Sequence, residues 1–311
     1  MDSRPIVVGV DGSDGSAAAI RHGADRAYAS GRGLHLVHVA PVVIPMSGSV
    51  PLGTPYLPPD LDSDAIGREV LDEARQFARA LMPPDRITSK LAVGARAGGI
   101  LQEARNASEI VLGEDRTPLL ERMSFGSMVS QVCAHSAVPV TCVPESWRPD
   151  RPEHVVVGIR DYHHISPDLV RAGFAAARER GGTVEFVHVW DLPPAYGRMV
   201  TSLMDVKRWK RMVAHQIEQA VTEAMGSEGS AYRTTVSYGH PAQELRERSA
   251  AATLLLLGHH RHGGIFEHLG STGRALVRTS ECPVEVLPVS DHPVGIAAEA
   301  SRTSSGLEVM Q

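Results

Sequence analysis

The chain has 311 residues, a hydrophobic content of 42% and a charged content of 22%, values that suit two globular domains with buried cores. Its net charge of −5, without a long lysine or arginine tract, argues against nucleic acid or a membrane surface as a partner. The N-terminal segment lacks the long apolar core of a secretory signal, and the three cysteines show no metal-ligand spacing. We therefore expect a cytoplasmic protein with buried free thiols.

The predicted elements alternate between strand and helix along the chain. Short apolar runs predict strands, and alanine-rich or amphipathic stretches at helical spacing predict helices. In the first half these are strands at 6–10, 34–39, 87–93, 110–112 and 138–143, and helices at 16–30, 64–81, 97–107 and 128–135. In the second half they are strands at 155–159, 183–189, 232–238, 253–257 and 283–287, and helices at 167–180, 206–225, 241–251 and after residue 270. This alternation predicts an α/β fold, with parallel sheet and helices on both faces.

The second half of the chain repeats the first. The Val-Val-Gly run at 7–9 returns at 156–158, and further landmarks follow in the same order at offsets between 144 and 150 residues. One domain has therefore been duplicated. The predicted bounds are 1–147 for the first domain and 152–289 for the second, with a short proline-rich linker, an irregular loop at 41–60 and a disordered tail at 290–311.

Several short motifs occur in a fixed order. They are the opening strand that runs into Asp11-Gly12-Ser13, the strand end His38-Val39, the spacing from Gly113 through position 116 to Gly126-Ser127, and the closing Val138-Pro139-Val140. Together they resemble the universal stress protein family in its tandem two-domain form, over residues 4–289. The resemblance implies two tandem domains, each a five-stranded parallel sheet with helices on both faces. It also implies an adenine-nucleotide site, since many members bind ATP, although others bind no nucleotide.

Asp11 is the first candidate for ligand binding, because it follows the first strand at the carboxyl edge of the sheet, where open α/β sheets bind ligands. Its carboxylate can accept a hydrogen bond from an adenine amino group, and Val39 can pack against the base. Gly12 belongs to the same turn. The alternative interpretation is local: Ser13 or Asp14 caps the helix that follows, which does not occupy Asp11.

Gly113 and the pair Gly126-Ser127 are the candidates for a phosphate site. The pair directly precedes the helix that begins at Met128, where free N–H groups and the helix dipole favour an anion. Glycine allows the backbone to approach a phosphate closely, and the Ser127 hydroxyl can donate a hydrogen bond. A simple helix cap at Ser127 is an equally good interpretation. The spacing from Gly113, which matches the family, favours the phosphate.

Arg116 stands where the family has a second loop glycine, and Glu114 and Asp115 add negative charge beside it. Arg116 either pairs with the triphosphate directly, since a guanidinium matches a phosphate, or is a solvated loop residue. Without Arg116 in that role, Mg²⁺ would have to offset the two carboxylates. The predicted cofactor is therefore ATP, with or without Mg²⁺.

The second domain offers a weaker site, formed by Gly258, Arg261, Gly270 and Ser271. Arg160 stands where the first domain has Asp11, and an arginine cannot accept a hydrogen bond from adenine. We therefore predict that the first domain is the better nucleotide binder.

The remaining motifs do not indicate a turnover enzyme. The histidines at 259, 260 and 262 are adjacent in a predicted surface loop and lack the partners of a metal site, so no metal site is predicted. The sequence has no nucleophile elbow and no Walker A lysine, which favours a ligand-dependent regulator or sensor, with slow ATP hydrolysis left open. The rival hypotheses are a scaffold or interaction protein that binds no nucleotide, and a sensor of another small molecule.

The last strand of each half is a candidate for a sheet edge, because it is terminal in its domain. These strands, at 138–143 and 283–287, can pair with each other to form an internal pseudo-dimer, or with a second chain to form a homodimer. Pro139 and Pro283 lack an N–H group, so the pairing has to use the other donors.

Overall fold

The computed structural model describes residues 3–41, 62–114, 128–148, 154–179, 181–191, 205–226, 231–260 and 269–289. Nearly all of the predicted loop at 41–60 and the whole predicted tail at 290–311 lie outside the described residues. Most of the linker, at 149–153, lies outside them as well. Trp147, at the start of the linker, is buried in the first domain, where it packs edge-on against His22.

The first half alternates strands and helices as predicted. The strands are β1 (Ile6–Gly9), β2 (Leu34–Ala40), β3 (Ile87–Val93), β4 (Glu109–Gly113) and β5 (Val140–Val143). The helices are α1 (Asp14–Ser30), α2 (Ser63–Arg79), α3 (Arg96–Glu103) and α4 (Met128–His135). The predicted helix at 97–107 is divided, because its last part forms the short 3₁₀ helix Ala104–Asn106.

The second half repeats this order. The strands are β6 (His154–Ile159), β7 (Thr183–Trp190), β8 (Tyr232–Tyr238), β9 (Leu254–His260) and β10 (Val284–Val289). The helices are α5 (Pro167–Glu179), α6 (Val206–Met225), α7 (Pro241–Ser249) and α8 (Ser271–Thr279). The surface loop predicted for the first two adjacent histidines is wrong, since His259 and His260 extend β9 by pairing with Pro288 and Val289 of β10.

All ten strands form one sheet, in the order β3-β2-β1-β4-β5-β10-β9-β6-β7-β8. Every neighbouring pair is parallel except β5 and β10, which run antiparallel with Val140 opposite Val286. The predicted five-stranded parallel sheets are thus confirmed, and their edge strands join them into an internal pseudo-dimer. We call the β5–β10 pair the domain seam. Pro139 and Pro283 precede the paired residues and contribute only their carbonyl groups, which accept from Ile110 and Leu255.

Helices cover both faces of the sheet, as predicted. On one face, a single apolar cluster continues across both domains and contains all three cysteines, Cys133, Cys142 and Cys282, as buried thiols that form no disulfide. On the other face, each domain has its own cluster, with Leu36 in the first and Phe174 in the second. The prediction of buried thiols is therefore confirmed. In the described part of the chain, no helix combines the length and the apolar character needed to span a bilayer.

Side chains that cap helix ends explain where several helices begin. Asp62 accepts hydrogen bonds from the backbone N–H groups of Asp64 and Ala65 at the start of α2. Asp205 does the same for Arg208 at the start of α6. These caps satisfy N–H groups that have no partner inside the helix.

Candidate functional site

The turn after β1 is formed by Asp11, Gly12 and Ser13. Asp11 Oδ1 accepts hydrogen bonds from the Ser13 backbone N–H at 3.0 Å and from the Ser13 hydroxyl at 2.6 Å. The Ser13 oxygen in turn accepts from the Ser16 N–H at 3.2 Å, so Ser13 is the cap of α1. Gly12 has a φ of 80°, in the left-handed region that favours glycine. The exposed Asp11 keeps Oδ2 without a bond to another described residue, and this oxygen is available to a ligand.

Gly113 brings the end of β4 into direct contact with the start of α1. A Cβ atom added to Gly113 would lie 2.4 Å from the Gly15 carbonyl group and 2.9 Å from the Ser16 nitrogen. Only a glycine fits here, because both neighbouring groups are backbone. The predicted first residue of the phosphate loop therefore has a structural reason to be glycine, and its position next to the Asp11 turn follows from the same contact.

The strand ends beside Asp11 carry small side chains. Val39 is buried, and its methyl groups lie so close to Gly99 of α3 that an added Cβ there would be 2.8 Å away. The last register pair of β2 and β3 is Ala40 with Val93, and Val93 is 61% exposed. His38 Nδ1 lies 2.8 Å from the Val10 carbonyl oxygen and ties the end of β2 to the end of β1. The strand ends of the first domain therefore carry small apolar side chains, of which Val93 is exposed.

A polar cavity of about 440 Å³ lies beside the first turns of α1. It is lined by Asp14, Ala17, Arg21, Glu114, Glu145, Ser146 and Arg148. Glu114 follows Gly113 directly, so the cavity begins where the predicted phosphate loop begins. Asp11 does not line it. The lining carries three carboxylates and two arginines, a mixture that disfavours an anion unless a cation accompanies it.

Several predicted site residues lie outside the described residues. They are Arg116, Gly126, Ser127 and, in the second domain, Arg261. Met128 is described as the first residue of α4, half-buried against the apolar cluster that crosses both domains. The predicted helix over Met128–His135 is therefore confirmed, while the phosphate contacts before it stay a prediction.

The second domain also has a carboxylate in the turn after its first strand, β6. It belongs to Asp161, one residue after Arg160, the residue that the alignment of the two halves places opposite Asp11. Asp161 Oδ1 accepts from the His163 N–H at 2.9 Å, as Asp11 does from Ser13. Asp161 Oδ2 lies 3.0 Å from His164 Nδ1. Burial opposes ionisation of Asp161, but the hydrogen bonds from His164 and His163 outweigh it, and the pKa of Asp161 falls below its usual value. The match of Arg160 to Asp11 thus missed the structural equivalent, Asp161, because one residue is inserted after β6.

Aromatic side chains occupy the sheet edge of the second domain. The last register pair of β7 and β8 is Trp190 with Tyr238, whose rings lie 4.7 Å apart. Trp209 of α6 packs 4.6 Å from Trp190, and Tyr162 packs 5.1 Å from His188. This pair of strand ends corresponds to Ala40 and Val93 in the first domain. Large rings in the second domain therefore stand where the first domain has small side chains.

His188 repeats the role of His38. Its Nδ1 lies 2.9 Å from the Ile159 carbonyl oxygen, so the neutral ring with a proton on Nδ1 donates to that oxygen. Burial lowers the pKa of His188, which favours the neutral ring. The sequence predicted that both histidines lie at strand ends, but it indicated no function for them. Their shared function is to join two neighbouring strand ends.

The remaining residues of the weaker site are less constrained than their counterparts. Gly258 has room for a Cβ, which would lie 3.4 Å from Leu169 and 3.6 Å from Val289. Gly270 and Ser271 are exposed at the start of α8, which no side chain of the described residues caps. This helix start remains open to an anion.

Comparisons with known proteins agree with the duplicated fold. The model of the universal stress protein family matches residues 3–144 and 152–288. The universal stress protein Rv1996 of Mycobacterium tuberculosis is 28% identical over 314 residues, covering 93% of this chain and 96% of the relative. Rv2005c, a universal stress protein of the same organism, is 27% identical over 295 residues, covering 90% and 96%. The crystal structure of a universal stress protein from Archaeoglobus fulgidus matches with a TM-score of 0.64 at 20% identity, over 93% of this chain and 98% of that one.

Proposed function

Because the chain belongs to the universal stress protein family, we propose that it binds ATP, with or without Mg²⁺, in its first domain and acts as a cytoplasmic regulator. The proposed site contains the turn Asp11–Ser13, Val39, Gly113 and the start of α4, together with Arg116 and Gly126-Ser127. A bound ligand stabilises whichever conformation holds it, so occupancy can change a partner contact without turnover.

The difference between two equivalent sheet edges carries this proposal. In the first domain, the corresponding strand ends carry the small side chains of Ala40 and Val93, and Asp11 has one carboxylate oxygen without a bond to another described residue. In the second domain, Trp190 and Tyr238 fill the edge, and both oxygens of Asp161 are engaged. A planar base needs apolar contacts and a hydrogen-bond partner, so this difference supports placing the base in the first domain.

The alternative is a scaffold of the same fold that binds no nucleotide. Two observations favour it, since Asp11 already orients Ser13 and Gly113 is required by its contact with Gly15. Both residues would be retained for folding alone. The two hypotheses therefore differ in whether Oδ2 of Asp11 accepts a hydrogen bond from a bound ligand.

Calorimetric titration of the full chain with ATP and with MgATP tests this difference. Asp11→Asn keeps the oxygen that accepts from Ser13 and replaces Oδ2 with a donor, so the turn is preserved while adenine loses its acceptor. We expect ATP affinity to fall by about tenfold or more, from the loss of a hydrogen bond to a charged group. Asp161→Asn is the matched control, and it should leave the affinity within about twofold.

Two results would overturn the proposal. Wild-type protein that releases no binding heat with either nucleotide, and that copurifies with none, would favour the scaffold. A larger loss with Asp161→Asn than with Asp11→Asn would place the site in the second domain.

A further inference from the structure

Two buried carboxylates from different domains share one arginine beside the domain seam. Glu109 at the start of β4 and Glu285 in β10 are 3% and 6% exposed. Arg26 of α1 lies between them, with its Nε 2.8 Å from Glu109 Oε2 and its Nη2 3.7 Å from Glu285 Oε2. The arginine and Glu109 belong to the first domain, so Glu285 is the contribution of the second.

Glu109 is much better satisfied than Glu285. Its second oxygen accepts a hydrogen bond of 2.6 Å from the hydroxyl of Thr141, and Thr141 stands directly opposite Glu285 in the antiparallel ladder of the seam. Among the described residues, Glu285 has only the longer contact with Arg26. An ionised Glu285 is therefore held in a buried position with little compensation, which is costly.

The charged groups around Glu285 also indicate that its ionised form is poorly compensated. From the elements packed against Glu285, the charged groups are Arg26 of α1, Glu109 of β4 and Glu179 of α5. One cation cannot neutralise two buried carboxylates with a third nearby. Burial is the main cause that raises the pKa of Glu285 to about 7, Arg26 opposes it, and the two other glutamates add to it. Glu109 in turn raises the pKa of Arg26 further above its usual value, so the arginine stays charged.

In the described part of the chain this cluster occurs once, although the domain is duplicated. The repeat equivalents of Arg26 and Glu109 are Ala176 and Leu254, and that of Glu285 is Thr141. The second half of the seam therefore has no matching cluster. The fold that the two domains share does not require this difference between them.

We propose that Arg26, Glu109 and Glu285 form a proton-sensitive contact that sets how firmly the two domains are joined along the seam. A protonated Glu285 keeps β5 and β10 paired. Ionisation of Glu285 adds an uncompensated charge, and the seam opens more often. This inference is independent of nucleotide binding.

The size of the effect follows from linkage. A carboxyl group with a pKa of about 7 in the closed seam returns toward 4.5 when the seam opens and water reaches it. The opening equilibrium then rises about tenfold between pH 6 and pH 8 and changes by less than about 1.2-fold from pH 8 to pH 9. The plateau is as diagnostic as the rise, because it marks the pH above which the closed state has also lost its proton.

Two native cysteines report on seam opening. Cys142 lies on β5 opposite Val284, and Cys282 lies just before β10, and both are buried. Alkylation of each thiol in the full chain can be followed with iodoacetamide and peptide mass spectrometry. Dividing each rate by the rate of the same cysteine in the urea-unfolded chain removes the ionisation of the thiol itself. We expect the normalised rates to rise about tenfold from pH 6 to pH 8 and then level off.

Glu285→Gln replaces the ionisable carboxyl group by a neutral amide. It should reduce the rise in the normalised alkylation rates to less than about twofold. Glu244→Gln is the control for losing a glutamate elsewhere in the same domain, and it should keep the wild-type profile. Glu109→Gln leaves Arg26 to Glu285 alone, so the rise should move to lower pH, and this variant tests the proposal even where Glu285→Gln fails to fold. Flat wild-type rates, or an undiminished rise in Glu285→Gln, would overturn it.

Discussion

Replacing Gly113 by alanine, with Gly258→Ala as its internal control, is the sharpest test of the packing argument. The two glycines are repeat equivalents in β4 and β9, where Gly113 is paired with Val143 and Gly258 with Leu287. Their surroundings differ. An added Cβ meets backbone at 2.4 Å in the first domain, but only a side-chain methyl group at 3.4 Å in the second.

The expected magnitudes follow from these distances. Backbone atoms cannot move aside like the end of a flexible side chain, so Gly113→Ala must displace the end of β4 by roughly 1 Å, and we expect a cost of about 2–3 kcal/mol in the free energy of unfolding. Gly258→Ala makes an ordinary contact and restricts the unfolded chain. We expect it to be neutral or to stabilise the protein by about 0.5 kcal/mol.

Urea unfolding monitored by tryptophan fluorescence and by circular dichroism measures both variants. Trp147 is in the core of the first domain, whereas Trp190 and Trp209 are in the second, so Trp147→Phe leaves tryptophan fluorescence from the second domain alone and assigns each transition to a domain. Equal destabilisation by the two alanine substitutions, or none by Gly113→Ala, would show that the contact between β4 and α1 does not require a glycine at position 113.

Three further predictions concern caps, pH and the core. Ser13→Ala should destabilise α1 by about 1 kcal/mol, measured as a shift of the urea midpoint, whereas an unchanged midpoint would contradict its function as a cap. The folded pKa of Glu285 is raised to about 7 from 4.5, so its stabilising contribution is complete below pH 4.5 and is lost as the pH rises toward 7. The free energy of unfolding should therefore fall by up to about 3 kcal/mol over that range, and Glu285→Gln should abolish the fall. Phe174→Ala removes a fully buried ring that packs 5.8 Å from Phe186 and should cost about 3–5 kcal/mol, and a loss below about 1 kcal/mol would contradict the packing described for the second core.

The candidate site was predictable in part. The sequence placed Asp11, Ser13 and Gly113 at the carboxyl edge, because an apolar run followed by a turn and a helix start is a local pattern. It did not find Asp161, since a single inserted residue after β6 moved the carboxylate out of alignment while the hydrogen bond to the backbone two residues later was kept. The contribution of Arg116 stays a prediction.

The sequence by itself determined the alternation of strands and helices, the duplication and most helix starts, because period, turn chemistry and caps depend on residues close together along the chain. Only the tertiary structure decided which side chains meet across the seam. Arg26 and Glu285 are far apart in sequence, and they come together because β5 and β10 pair antiparallel and bring the two domains side by side. Trp190 and Tyr238 likewise fill a sheet edge only once their strands are in register. Such contacts arise from packing between distant segments, for which no local pattern is diagnostic.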